Sequence, residues 1–312
     1  MRFLVIGSGG VGLGLSAFLL KAGCEVCLFS TRRSFNSLTN YFKVDGIFGD
    51  FTFKYGQYDV IDSFENLRDK FDWVLITTKT YANEDIARQL CDFKDKLGGV
   101  NLVVVQNGWG NAEKFLRCFD KESVFSARII TGFYRKAPNE VEITVHADKM
   151  VLGNIFRKEL SGQTQEVVDA LNNGGFDALV SEDVDKHLWA KLLYNCALNP
   201  LGAILRVEYG KLAEKSQTRK IMDRIINEIF DVMRAYGYET FFKNANEYKD
   251  VFYSKLVPST YSHRSSMLQD IENSQKTEID SLNGVVVELA KKKGLAAPYN
   301  EFIVELIKAI EP

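Results

Sequence analysis

The spacing of apolar residues along this chain changes once, close to residue 180. Before that point short apolar runs alternate with segments of helical period. Arg2 to Ile6 reads as a strand, Leu13 to Ala22 as a helix and Glu25 to Phe29 as a second strand. Lys43 to Tyr55 reads as irregular strands around Gly46 and Gly49, and Asp72 to Thr77 as a buried strand of the parallel type. A helix from Tyr81 to Phe93 and a strand from Asn101 to Val105 follow. Ser123 to Thr131, Glu140 to His146 and Met150 to Leu152 read as strands, Gln165 to Asn173 as a helix, and Phe176 to Val180 as the strand that closes the sheet. From Asp183 onward the patterns are helical only: the segment before Pro200, then Thr218 to Tyr236, Asn244 to Leu256, Ser265 to Asn273, Glu278 to Lys293 and Tyr299 to Ile310. The boundary falls near Ser181, which gives a first domain over residues 1–180 and a second over 181–312.

The first turn carries the chemistry of the first domain. Gly7-Ser8-Gly9-Gly10-Val11-Gly12 stands between the first strand and the first helix. In such a turn Gly7 permits the tight bend, Gly9 lets a pyrophosphate approach the backbone, and Gly12 allows close packing of helix on strand. The helix start then offers amide donors and a positive dipole end to the phosphates. The arrangement predicts an α/β fold: an N-terminal Rossmann-type parallel sheet that binds a dinucleotide, followed by a C-terminal all-helical domain. An Asp or Glu at the end of the second strand would hold a ribose 2′-hydroxyl, but the chain reads Ser30-Thr31-Arg32-Arg33. Two cations and no carboxylate favour a 2′-phosphate, so NADPH is expected over NADH, with Arg32 the leading ligand and Arg33 the runner-up. Solvated loop arginines are the alternative. Ligands gather at the carboxyl ends of such strands, where Lys79 can meet a phosphate or a substrate anion. Asn107, in Gln106-Asn107-Gly108-Trp109-Gly110, is placed for the nicotinamide half; a plain Asn-Gly turn is the alternative.

In the second domain the stretch LWAKLLYNCALNP, Leu188 to Pro200, is organised around a polar stripe. Steps of four residues put Lys191, Asn195 and Asn199 on one helix face among Trp189, Leu192, Leu193, Cys196 and Leu198. A buried ammonium beside two carboxamides needs partners, and a ligand can be one of them. Pro200 disfavours helical geometry at Asn199, so the helix is expected to end or kink there. A solvated edge or an internal network is the alternative.

Composition narrows the partners. With 39 basic and 41 acidic residues the net charge is -2, and no basic run is interleaved with aromatics, so nucleic acid is not expected. No apolar run reaches the roughly 20 residues of a membrane helix, and Met1-Arg2 leads into a strand pattern and not a signal peptide; a cytoplasmic protein is expected. A homodimer stays open. The five cysteines, Cys24, Cys27, Cys91, Cys118 and Cys196, read as reduced core residues, and neither they nor His146, His187 and His263 form a metal-ligand cluster.

Taken together, GSGGVG, TTK with Lys79, QNGWG with Asn107, KLLYNCALNPL with Lys191, Asn195 and Asn199, and SSMLQDI followed by TEIDSLNG with Ser266 and Glu278 resemble the ketopantoate reductase family over nearly the whole chain. The resemblance implies NADPH-dependent reduction of 2-dehydropantoate to pantoate, on the way to pantothenate and coenzyme A. It implies that Lys191 is the general acid, that Asn195, Asn199 and Ser266 hold substrate, and that Glu278 lines the site. The chemistry agrees, because hydride transfer to a ketone develops negative charge on oxygen and the site must offer a proton there. For Ser266 and Glu278 the alternative role is helix capping. The chain departs from the family at Ser274-Gln275, at Tyr209-Gly210 and at Gly132-Phe133. Tyr209 and Phe133 bear on which 2-oxo acid fits, so a paralogous reductase of another 2-oxo acid is one alternative, and a sensor that binds NADPH without turnover is another.

Overall fold

A computed structural model describes residues 1–158 and 162–312, the side chains of Arg32 and Arg33 excepted. The chain forms two compact units, one of residues 1–106 with 111–184 and one of residues 107–110 with 185–312.

Among the described residues the first unit holds ten strands: β1 (Arg2–Ile6), β2 (Glu25–Phe29), β3 (Tyr41–Gly46), β4 (Phe51–Lys54), β5 (Asp59–Ile61), β6 (Trp73–Ile76), β7 (Asn101–Val104), β8 (Val124–Ala137), β9 (Glu140–Gly153) and β10 (Ala178–Val180). They join in one sheet of order β4-β3-β9-β8-β7-β6-β1-β2-β5, with β10 beside β9. From β5 to β8 the neighbours are all parallel, which is the expected Rossmann-type arrangement. Helices α1 (Gly10–Lys21), α2 (Arg32–Leu38), α3 (Asn83–Asp92), α4 (Lys94–Leu97) and α5 (Gly162–Gly174) connect the strands. Strand β1 shows why its run is apolar throughout. Phe3 and Val5 enter a core with Leu13, Phe18 and Val168, whereas Leu4 and Ile6 enter a second core with Ile86, Leu90 and Phe115. Each such side chain contributes about 1.5–3 kcal/mol by leaving water.

The sheet departs from an all-parallel one beyond β8. Strands β8 and β9, of 14 residues each, pair antiparallel, and β3 pairs antiparallel with β4. The segments Glu140 to His146 and Met150 to Leu152, expected as separate strands, are one strand, because register shifts absorb the irregular pattern between them. Strand β5 and helix α2 have no counterpart in the apolar pattern: β5 has three residues, and the sequence of α2, RRSFNSL, is too polar to show a helical stripe. The reading of all five cysteines as reduced is also corrected. Cys91, at the end of α3, and Cys118 form a disulfide with a Cα–Cα distance of 5.7 Å, while Cys24, Cys27 and Cys196 are free and buried. Residues 27 positions apart meet here because Cys118 packs on the core around Phe115 that also holds Leu90, the chain neighbour of Cys91.

The second unit is helical, as expected: α6 (Val184–Leu205, whose first residue belongs to the first unit), α7 (Tyr209–Glu214), α8 (Ser216–Tyr236), α9 (Ala245–Val251), α10 (Val257–Ser259), α11 (Ser266–Glu272), α12 (Asn283–Lys292) and α13 (Pro298–Ile310). Of the end or kink expected at Pro200, the end is overturned, since Pro200 lies inside α6 and the helix runs on to Leu205. Proline has no N–H to give the Cys196 carbonyl one turn back, and Asn283 Nδ2 donates to that oxygen at 3.2 Å instead. Helix α8 stops at Gly237, whose φ of 70° is left-handed, and Tyr238 N–H closes the end on the Met233 carbonyl at 2.9 Å. No helix among the described residues is long and apolar enough to cross a membrane.

Candidate functional site

In the first unit the glycine turn follows β1 and opens α1. Gly7 has φ +114°, and a Cβ there would lie 2.8 Å from Thr78 N; one on Gly12 would lie 1.8 Å from Gly7 O. Both glycines are therefore required by the fold itself. Gly10 and Gly14 serve the packing of Phe133, since added Cβ atoms would lie 2.9 Å from Phe133 Cβ and 2.3 Å from Phe133 Cε1. Gly9 is different: a Cβ there would meet no protein atom within 4 Å. It caps α1 without a side-chain hydrogen bond, so the turn keeps a smooth backbone approach beside amides that lack helical partners. That is the cradle a dinucleotide pyrophosphate needs, and these residues fit the group. Ser8 Oγ lies 2.7 Å from Ser30 Oγ, which ties the turn to the end of β2. Thr77 Oγ1 donates to Gly7 O at 2.8 Å and brings the end of β6, and so the neighbourhood of Lys79, to the same turn. Val11 packs on the core from the start of α1.

Arg32 and Arg33 are the first residues of α2 and not loop residues. Their side chains, on which the role expected of Arg32 depends, lie outside the described residues.

A buried carboxamide network lies behind the ends of β6 and β7. Gln106 Nε2 donates to the Thr78 carbonyl at 2.8 Å and to Asn83 Oδ1 at 2.7 Å, and Asn83 Nδ2 returns a bond to Gln106 Oε1 at 3.0 Å and reaches Asn111 Oδ1 at 3.2 Å. No local sequence pattern links positions 83, 106 and 111.

In the second unit Lys191, Asn107 and Glu278 meet. Lys191 Nζ donates to Asn107 Oδ1 at 2.7 Å, and Asn107 Nδ2 donates to Glu278 Oε2 at 3.1 Å. The carboxamide thus bonds an ammonium through its oxygen and a buried carboxylate through its nitrogen. Asn107 owes its setting to its loop. Trp109 N–H donates to Ser281 O at 3.1 Å, and a Cβ on Gly108, whose φ is +95°, would lie 2.1 Å from that oxygen. The Trp109 ring packs 4.9 Å from Trp189 and 5.1 Å from Tyr238.

Asn195 and Asn199 follow Lys191 along α6, and both are buried. Ser265 and not Ser266 caps α11: its Oγ accepts from Leu268 N–H at 3.0 Å and donates to the Asn199 carbonyl at 3.2 Å. Ser266, one residue on, is exposed. Glu278 does not use its side chain as a helix cap either.

The two units match two halves of one family description. Residues 3–156 match ketopantoate reductase PanE/ApbA, and residues 183–311 match its C-terminal part. The 2-dehydropantoate 2-reductase of Aquifex aeolicus (strain VF5) is 38% identical over 312 residues, covering 100% of this chain and 97% of that protein. The chain belongs to the ketopantoate reductase family. Among solved structures, 2-dehydropantoate 2-reductase from Geobacter metallireducens GS-15 superposes with a TM-score of 0.88 at 25% identity, covering 99% of each chain. The fold is shared with a D-mandelate dehydrogenase solved with NADH and anilino(oxo)acetate, at a TM-score of 0.87 and 22% identity over 100% of this chain and 98% of that one. The chain is thus an NAD(P)-dependent oxidoreductase of this family.

Proposed function

We propose that the protein reduces 2-dehydropantoate to pantoate with NADPH, a step toward pantothenate and coenzyme A. The observation that carries this reading is the Asn107 carboxamide held between Lys191 and Glu278. Bound NADPH supplies the hydride for the ketone carbon. Lys191 then passes a proton from its ammonium to the carbonyl oxygen, where negative charge develops, and regains one from solvent. Asn107 and Glu278 direct the ammonium, so that little reorganisation is needed as the charge forms. Asn195, Asn199 and Ser266 bind the oxygens of the oxo acid as neutral hydrogen-bond partners. On the cofactor side, Gly7 to Gly12 cradle the pyrophosphate, Lys79 meets a cofactor phosphate or the substrate anion, and Arg32 holds the 2′-phosphate that distinguishes NADPH from NADH.

Steady-state rates with 2-dehydropantoate and a set of other 2-oxo acids, each with NADPH and NADH, test the reading. The specificity constant is expected to be highest for 2-dehydropantoate with NADPH, and Arg32→Ala is expected to weaken NADPH more than NADH. A second 2-oxo acid that matches or exceeds 2-dehydropantoate would move the assignment to a paralogous reductase. That second reading is supported by the buried Tyr209, which bonds Asn199 directly. Absence of NADPH oxidation with every oxo acid would leave a nucleotide-binding sensor.

A further inference from the structure

Tyr209 opens α7, and its backbone, ring and hydroxyl each meet a neighbour. Its N–H donates to the His263 carbonyl at 3.1 Å, and the Gly210 N–H donates to the Tyr261 carbonyl at 2.9 Å. A Cβ on Gly210 would lie 2.0 Å from Tyr261 Cδ2, so glycine is what lets that ring close over the start of α7. The Tyr209 ring meets Tyr194 edge-on with centroids 5.8 Å apart and packs 5.1 Å from His263. Only 3% of Tyr209 and 4% of Asn199 is exposed, and the phenol hydroxyl donates to Asn199 Oδ1. Burial pushes the Tyr209 pKa well up, so the hydroxyl keeps its proton and stays a donor. Ser265 holds the other side of the same residue through the Asn199 backbone carbonyl.

A carboxamide has an accepting edge and a donating edge, and half a turn about its last bond exchanges them with little change in shape. We propose that Tyr209 is a positioning residue that fixes which edge of Asn199 the substrate meets. With Oδ1 occupied by the phenol, the Nδ2 hydrogens are turned to the ligand. The site then accepts a carboxylate or hydroxyl oxygen at that point and rejects a group that brings an N–H. The tyrosine thus acts on substrate choice through the asparagine, without touching the reacting atoms. This deepens the reading above and rests on Asn199 as a substrate ligand.

Tyr209→Phe keeps the ring and removes only the donor. With NADPH, wild type and variant are compared on 2-dehydropantoate and on its carboxamide analogue. The expected result is a KM for the acid about tenfold higher, kcat within about twofold of wild type, and an unchanged KM for NADPH. The ratio of specificity constants, acid over amide, falls about tenfold, because a freed Asn199 can offer its oxygen to the amide N–H. Both substrates are measured on one preparation, so a partly unfolded variant lowers both rates equally and leaves the ratio at its wild-type value. An unchanged ratio overturns the role of Tyr209 while the reductase reading stands. If the wild-type chain reduces neither compound nor any other 2-oxo acid, the assignment of Asn199 to substrate fails and this inference falls with it.

Discussion

Lys191 Nζ donates to Asn107 Oδ1 at 2.7 Å, although the two residues are 84 positions apart in the chain. The bond gives the ammonium a direction, and the Asn107–Glu278 bond at 3.1 Å gives the carboxamide one. On the proposed mechanism, in which Lys191 gives the proton, removing the proton donor and removing its guide should therefore differ in size. Lys191→Ala is expected to lower kcat by about 10²–10⁴-fold with NADPH affinity retained. Asn107→Ala, which keeps the ammonium and removes this bond, is expected to lower kcat by about tenfold. Steady-state kinetics with cofactor titration check both. An Asn107→Ala enzyme as fast as the parent would remove the bridge from the mechanism.

Gly9 and Gly12 belong to one turn but answer to different constraints. A Cβ on Gly12 would lie 1.8 Å from Gly7 O, whereas one on Gly9 meets nothing within 4 Å. Gly12→Ala is expected to destabilise the fold by about 1–3 kcal/mol through overpacking. Gly9→Ala should leave the melting temperature near that of the parent and raise the KM for NADPH about tenfold or more, because only the bound cofactor contests that space. A Gly9→Ala protein that binds NADPH normally would put the pyrophosphate elsewhere.

What could be read without coordinates follows a physical division. Regular elements were legible where burial imposes a period: the run of β1, with Leu4 and Ile6 facing one core and Phe3 and Val5 the other, and the long stripe of α8. Element α2 and strand β5 were not, since neither is long or apolar enough to show one. At Pro200 local sterics argue for a helix end or kink; that the helix does not end there was not legible, because the compensating donor, Asn283, is 87 positions from the carbonyl it satisfies. The polar stripe on α6 was visible, but its order was not. That Asn107 bridges Lys191 to Glu278, that Tyr209 bonds Asn199, and that Ser265 takes the capping role and leaves Ser266 exposed are long-range pairings without a local signature. The disulfide belongs to the same class, since the spacing of Cys91 and Cys118 resembles no framework.

Trp109 is the anchor of the Asn107 loop. It is 7% exposed, and its ring forms a three-membered cluster with Trp189 and Tyr238, the last two 5.0 Å apart. Trp109→Ala is expected to destabilise the helical unit by about 3–5 kcal/mol and to lower kcat, because the loop that directs Asn107 loses its packing. Trp109→Phe keeps an aromatic ring and should recover most of kcat. The same substitution should still reduce the near-ultraviolet circular dichroism that the close Trp109–Trp189 pair contributes. Thermal unfolding, kcat and that signal together make the test: a Trp109→Ala enzyme that is destabilised but fully active would make the cluster purely structural.

Asp45, in β3, is clamped by two lysines. Lys136 Nζ lies 2.6 Å from both carboxylate oxygens and Lys43 Nζ lies 3.0 Å from one, with the Asp45 side chain 11% exposed. The hydrogen bond from Lys136, joined by that from Lys43, holds the Asp45 carboxyl below its ordinary pKa against the opposing effect of burial. The sign follows from the direction of the shift. Above the unfolded carboxyl value of about 3.9, both states are ionised and the clamp contributes in full. As pH falls, the unfolded chain takes up its proton first, and the contribution is gone once the native carboxyl is protonated too. Asp45→Asn should therefore lower the melting temperature near pH 7, and the gap from the parent should close as pH drops below about 3. Thermal unfolding of both proteins over a pH series measures it, and a gap that stays constant down the series would mean that the carboxylate charge is not what Asp45 contributes.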